Sequence, residues 1–160
     1  MNPLHLEIER RFLVRDLTVL QGALGVPYRQ GYLSLDPERI VRVRLAAHHA
    51  YLTVKGRSKG AARAEFEYDI PPADAEALLA LCRQPLIEKI RYTVRHAGLA
   101  WEIDVFGGAN EGLVVAEVEL TAVDTPIVLP AWAGEEITLD ARYQNASLVE
   151  HPFSAWGRRG

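Results

Sequence analysis

Hydrophobic and polar positions alternate with a period of two through most of the chain. That is the pattern of strands whose successive side chains point to opposite faces. In the first such stretch Leu6, Ile8 and Phe12 share one face, and Glu7, Glu9 and Arg11 share the other. The alternation predicts strands near 4–14, 29–35, 39–46, 50–57, 63–70, 86–96, 99–107 and 113–121. Turn-forming residues separate them, among them Asp36-Pro37-Glu38, Lys59-Gly60, Ala97-Gly98 and the glycine-rich 107–112. Separators this short favour antiparallel neighbours. Pro71-Pro72 ends one strand, and the alanine- and leucine-rich run 74–82 predicts a helix. Weaker helical patterns cover 17–24 and 140–149. No linker, repeat or low-complexity tract divides the chain, so residues 1–160 are expected to form one domain.

The polar faces of these strands are unusual because each tends to carry one sign of charge. Arg42 and Arg44 share a face, as do Glu65, Glu67 and Asp69, then Lys89, Arg91 and Arg95. Glu102 and Asp104 form another such set, Glu117 and Glu119 a further one, and Lys55 shares its face with Tyr51 and Thr53. A sheet with one wet face and cross-strand ion pairs would explain any one strand taken alone. Like charges crowded together are unfavourable unless an opposite charge or a ligand faces them. The set as a whole therefore favours a mainly β (α+β) fold, closed on itself. Its charged faces turn inward and its apolar faces pack outward against a few short helices. Closure also removes exposed sheet edges.

Composition narrows the partners. A net charge of −3 over 160 residues argues against a general nucleic-acid binder. No apolar run is long enough to span a bilayer and no leader pattern is visible, so a soluble, cytoplasmic protein without a membrane partner is expected. The single Cys82 excludes an internal disulfide framework, and no Cys/His spacing suggests zinc. Clustered Arg and Lys suit phosphate oxygens. Clustered carboxylates repel phosphate, so their presence beside the cations implies bridging hard divalent ions, Mg²⁺ or Mn²⁺. There is no Gly-Lys-Ser/Thr phosphate loop, so side chains must build the site. A small polyphosphate bound with metal is the ligand this pattern describes.

An ordered series of short motifs carries a family resemblance. It opens with Glu7-Ile8-Glu9-Arg10-Arg11 and continues through Arg29-Gln30-Gly31-Tyr32, Val41-Arg42-Val43-Arg44 and Leu52-Thr53-Val54-Lys55-Gly56. Glu65-Phe66-Glu67, Glu88-Lys89-Ile90-Arg91-Tyr92, Trp101-Glu102-Ile103-Asp104 and Glu117-Val118-Glu119 follow, and then Gly134-Glu135-Glu136-Ile137-Thr138 and Arg142-Tyr143-Gln144-Asn145. The series resembles the CYTH superfamily, the triphosphate tunnel metalloenzymes, and most of all its short, stand-alone bacterial branch. The resemblance implies a closed eight-stranded antiparallel tunnel that binds a linear triphosphate and two metal ions. It implies Glu7, Glu9, Glu117 and Glu119 as metal ligands, with Asp104 either a ligand or one step behind the metal. Arg42, Arg44, Lys55, Lys89 and Arg91 would hold phosphates. Glu65 and Glu67 would orient these cations or an attacking water, and Tyr32 would either reach the tunnel or pack beside it. Glu7, Glu9, Arg11, Glu65 and Glu67 thus make up the expected catalytic set. Arg11 departs from the family's usual Lys and is not equivalent to it. The activity implied is metal-dependent hydrolysis of inorganic triphosphate. An enzyme on an organic triphosphate (adenylate cyclase, thiamine triphosphatase or nucleoside triphosphatase) stays open, as does a non-catalytic polyphosphate-binding module. The chain is expected as a monomer or homodimer.

Overall fold

The computed structural model describes residues 5–157. In chain order it contains strands β1 (Leu6–Val14), β2 (Gly25–Ser34), β3 (Ile40–Ala46), β4 (His49–Lys55) and β5 (Ala62–Ile70), then helix α1 (Pro72–Leu79). Strands β6 (Ile87–His96), β7 (Leu99–Phe106), β8 (Val114–Glu119) and β9 (Ala133–Glu136) follow, then helix α2 (Asn145–Glu150). The strands lie in the order β5-β4-β3-β2-β6-β7-β8-β1, and β5 pairs with β1 to close the sheet. Every pairing is antiparallel, and the closing one sets Leu6 opposite Ala64 and Glu7 opposite Arg63. Eight strands therefore make the closed barrel that the charge pattern called for. At the turn between β6 and β7, Ala97 and Gly98 both take positive φ (50° and 81°). That geometry lets a two-residue turn follow the twist of the strands it joins.

The ninth strand is absent from the alternation pattern. Ala133-Gly134-Glu135-Glu136 is short and has no β-branched or alternating residues, yet it pairs with β1 at Phe12 and Val14. It takes up the edge of β1 beyond the stretch that β5 occupies. Other boundaries shift as well. The second strand begins at Gly25, four residues before the predicted 29. The helix predicted over 74–82 runs Pro72–Leu79, and the one over 17–24 is a single 3₁₀ turn, Leu17–Leu20. The one over 140–149 divides into a 3₁₀ turn, Ala141–Tyr143, and α2. Residue 4, the predicted start of the first strand, lies outside the described residues.

Apolar side chains form three clusters, two on outward faces and one inside the barrel end. Phe12, Trp101, Ile103, Ala116 and Val118 pack under Trp132. Val43 and Ala50 are covered by Ala75 and Leu79 of α1 together with Cys82. Gly31 makes the close approach there, since a Cβ at that position would sit 2.7 Å from both Cys82 Cβ and Leu86 Cδ2. The third cluster joins Ile137, Leu148 and Val149 to the barrel residues Tyr32, Ile40, Ile87, Phe106, Leu113 and Val115. Residues 137–149 thereby lie across one end of the barrel. The expectation that helices cover every outward apolar face holds only in part. Phe66 and Tyr68 on β5 remain 37% and 56% exposed, because the few helical segments lie elsewhere.

Candidate functional site

Strand register assembles the site. Arg42 on β3 faces Thr53 on β4, which faces Glu67 on β5, and Lys55 faces Glu65. Arg91 on β6 faces Asp104 on β7, and Arg11 on β1 faces Glu117 on β8. In these pairs a cation meets an acid, or the Thr53 hydroxyl stands between the two, as cross-strand packing prefers. Two pairs break the rule. Glu9 lies directly opposite Glu119, and Glu102 opposite Glu117. The interior therefore has a carboxylate-rich wall on β1, β7 and β8 and a cationic wall on β3 and β6.

Between the walls is a cavity of about 320 Å³. Its lining includes Glu7, Glu9, Arg11, Tyr32, Arg42, Arg44, Lys55, Glu65, Glu67, Lys89, Arg91, Glu117 and Glu119. Of the residues given a site role by the family resemblance, Asp104 alone is not in that lining. It is buried behind the wall, where its carboxylate accepts from Arg91 Nε at 2.7 Å and Nη2 at 2.8 Å. Lys89 Nζ lies 2.7 Å from the same group. Burial by itself would raise Asp104, but Lys89 and Arg91 hold it well below the usual carboxylate range. Asp104 thus fixes two cations that face the cavity. Arg95, which shares their strand face in the alternation, is exposed near the end of β6 and donates to Gly98 O.

The remaining cations are held more loosely. Lys55 Nζ lies 3.0 Å from Glu7 and 3.5 Å from Glu65. Arg42 reaches Thr53 and Glu67, and among the described residues its buried Nε has no hydrogen-bond partner. A buried guanidinium N–H left unpaired is unfavourable, and a phosphate oxygen would satisfy it. Burial, with Arg42 and Arg91 nearby, pulls Arg44 down to about 10, so it stays charged at neutral pH. Burial together with Arg91 and Arg44 brings Lys89 down to about 7, against the opposing pull of Asp104. An arriving anion would restore full protonation there.

On the acidic wall Glu7 is paired with Lys55, which holds it below its ordinary value despite burial. Glu117 is likewise held low by Arg11, whose Nε is 3.0 Å away, and by Arg91. Among the described residues Glu9 has no such partner. Burial and the neighbouring Glu117 and Glu7 push it up to about 8. Among the described residues no three His, Cys, Asp or Glu side chains are already gathered around a metal position. The donor set is nevertheless all oxygen, and the repulsion concentrated on Glu9 is the deficit a hard divalent cation would relieve. In that chemical sense the residues fit the metal.

Arg11 points inward, as the alternation predicts, and its two donors are separately engaged. Nε meets Glu117, while Nη2 donates to Tyr143 O at 2.9 Å. Arg10 points outward and pairs with Glu136 at 2.7 Å. Tyr32 lines the cavity, its ring belongs to the end cluster, and its hydroxyl accepts from Gln30 Nε2 at 3.3 Å. Tyr28 belongs to none of the charged faces, yet its ring lies 4.9 Å from the guanidinium carbons of both Arg44 and Arg91. Tyr28, Gln30 and Tyr32 alternate on β2, and that spacing was the available signal.

Comparison with known proteins gives a consistent set of matches. Residues 5–153 match the CYTH domain family. An inorganic triphosphatase from Acetivibrio thermocellus is 47% identical over 148 residues, covering 92% of this chain and 95% of that protein. One from Nitrosomonas europaea is 37% identical, covering 89% and 96%. Among solved structures, that of an inorganic triphosphatase superposes with a TM-score of 0.63 at 34% identity, over 89% of this chain and 96% of the other. The structure of a putative adenylyl cyclase from Hippeastrum, described as having dominant triphosphatase activity, superposes at 0.57 over 72% and 80%. At 16% identity it is alike in fold alone.

Proposed function

The chain belongs to the CYTH domain family, and we propose that it hydrolyses inorganic triphosphate in its barrel cavity with the help of a divalent metal ion, Mg²⁺ or Mn²⁺. The carrying observation is the division of one closed cavity into a cationic wall and a carboxylate wall. Neither wall is complete without a ligand: among the described residues Arg42 Nε is buried without a partner, and Glu9 is crowded by its own kind. A small anion with a metal ion satisfies both.

Arg42, Arg44, Lys89 and Arg91 bind and orient the phosphates, with Asp104 and Tyr28 setting the directions of the last two. Lys55 sits between Glu7 and Glu65 and bridges the two walls. These cations balance charge as it spreads over the phosphoryl group being transferred. Glu7, Glu9, Glu117 and Glu119 form the face that would hold metal, Glu7 and Glu117 by leaving Lys55 and Arg11. When bound there, a divalent ion neutralises phosphate oxygens and makes an attacking water more acidic. Glu65 and Glu67 hold Lys55 and Arg42 in place. No protein nucleophile is required, and burial raises Cys82 rather than activating it.

Phosphate release from tripolyphosphate, ATP, thiamine triphosphate and pyrophosphate, each with Mg²⁺ and with Mn²⁺, tests the reading. Tripolyphosphate with metal is the expected best substrate, and release ceases on chelation. Preference for an organic triphosphate would overturn the substrate assignment. No release from any of them would favour a binding module.

A further inference from the structure

The segment 137–149, which lies across one barrel end, also sends a polar side chain back into the cavity. Asn145 Oδ1 accepts from two donors at 3.0 Å each, Lys89 Nζ and Gln30 Nε2. Gln30 is fully buried, and its Oε1 accepts from Arg44 Nε at 2.8 Å. These contacts fix both amides. Arginine and lysine only donate, so the oxygen of Gln30 must face Arg44 and the oxygen of Asn145 must face Lys89. The Asn145 amide nitrogen is the group left over. Among the described residues nothing accepts from it, and Asn145 lines the cavity. Behind it Leu148, Val149 and Ile137 close the barrel end with an apolar cluster, so a phosphate chain has no way through.

We propose that Asn145 is the specificity-determining stop of this cavity: its amide N–H groups, with Lys89 and Arg44, receive the terminal phosphate of a linear polyphosphate, and Gln30 is the positioning residue that holds them in place. The inference rests on the reading of the cavity as a triphosphate site and deepens it. A chain end carries more charge and more free oxygens than a mid-chain phosphate. A closed pocket with three donor groups suits that end and has no exit for a continuing chain. Phosphate rings, which have no end, are excluded for the same reason.

The test is calorimetric binding with all metal chelated, so that it does not depend on turnover. Wild type is expected to bind linear tripolyphosphate at least tenfold more tightly than cyclic trimetaphosphate. Asn145→Ala should weaken the linear ligand about tenfold, the loss that goes with one hydrogen bond to a charged group. It should leave the cyclic ligand unchanged. Asn145→Asp keeps the acceptor for Lys89 and Gln30 but has no N–H, and it should be weaker still for the linear ligand. If Asn145→Asp binds the linear ligand like wild type, Asn145 serves only to hold Lys89, and the proposal is overturned. Equal binding of linear and cyclic ligands by wild type also overturns it while leaving the triphosphate reading intact. Failure of wild type to bind either ligand, both with metal chelated and with Mn²⁺ added, overturns both. Melting temperatures within a few degrees of wild type confirm that the variants are folded.

Discussion

Two residues decide how the site balances its charges. Arg11 joins β1 to Glu117 and to the backbone of Tyr143 through separate nitrogens, a geometry that a single ammonium does not reproduce. Arg11→Lys should keep Glu117 compensated but drop the Tyr143 contact, destabilising the fold by about 1 kcal/mol. Arg11→Ala should cost about 3 kcal/mol, the low end for breaking a buried pair, because Arg91 stands 3.4 Å from the same carboxylate. Urea unfolding measures both, and equal stability of the two variants would show that Arg11 fastens nothing. Glu9 makes the second case. With its carboxyl raised to about 8 it is largely protonated at pH 7, and a metal ion must displace that proton. Binding of Mn²⁺ should therefore release close to one proton at pH 7, and affinity should climb with pH until about 8. Calorimetry in buffers of different ionisation enthalpy reads the proton directly. Release of none would remove Glu9 from the metal face.

At the scale of elements, strands that carry charge were legible in the sequence because alternation and single-signed faces coincide. All eight barrel strands follow from the alternation, and the inward direction of Arg42, Arg44, Lys89 and Arg91 follows from the charged faces. The elements that close and cover the barrel were harder to see. β9 has no alternation, and its pairing is dictated by the free edge of β1. The role of 137–149 depends on which barrel end it meets, a tertiary fact with no local signature. Asp104 looked like a possible metal ligand because an acid on a charged face gives no hint of whether it lines a cavity or supports the cations that do. Glycine packing is equally invisible until the neighbours are known. Gly31→Ala should destabilise by roughly 1–3 kcal/mol through overpacking against Cys82 and Leu86. Thermal unfolding checks this, and an unchanged melting temperature would mean that the 80–86 segment moves away freely.

For the whole molecule, closure of the barrel turns strand faces crowded with like charges into one site. The empty fold bears the repulsion, and a ligand of the right length removes it. Tripolyphosphate with metal should therefore raise the melting temperature more than pyrophosphate or orthophosphate at equal ionic strength. A ligand at a hundred times its Kd contributes about 2.7 kcal/mol. Equal shifts for all three anions would argue against a cavity that spans a chain. The same repulsion gives stability a pH dependence. Because Glu9 has a higher pKa folded than unfolded, the folded state binds more protons between about 4.5 and 8, and stability falls as pH rises through that window. Gln in its place cannot ionise, so Glu9→Gln should fold as well as wild type at pH 7 and better at pH 9. It should still lose the carboxylate that the metal requires. The most direct test of the account is tripolyphosphate hydrolysis by wild type and Glu9→Gln at saturating Mn²⁺, with melting curves recorded alongside. The expected result is metal-dependent phosphate release by wild type and a loss of at least a hundredfold in a fully folded variant. Wild-type turnover by Glu9→Gln would contradict the claim that the carboxylate wall is the metal-binding half of a triphosphate site.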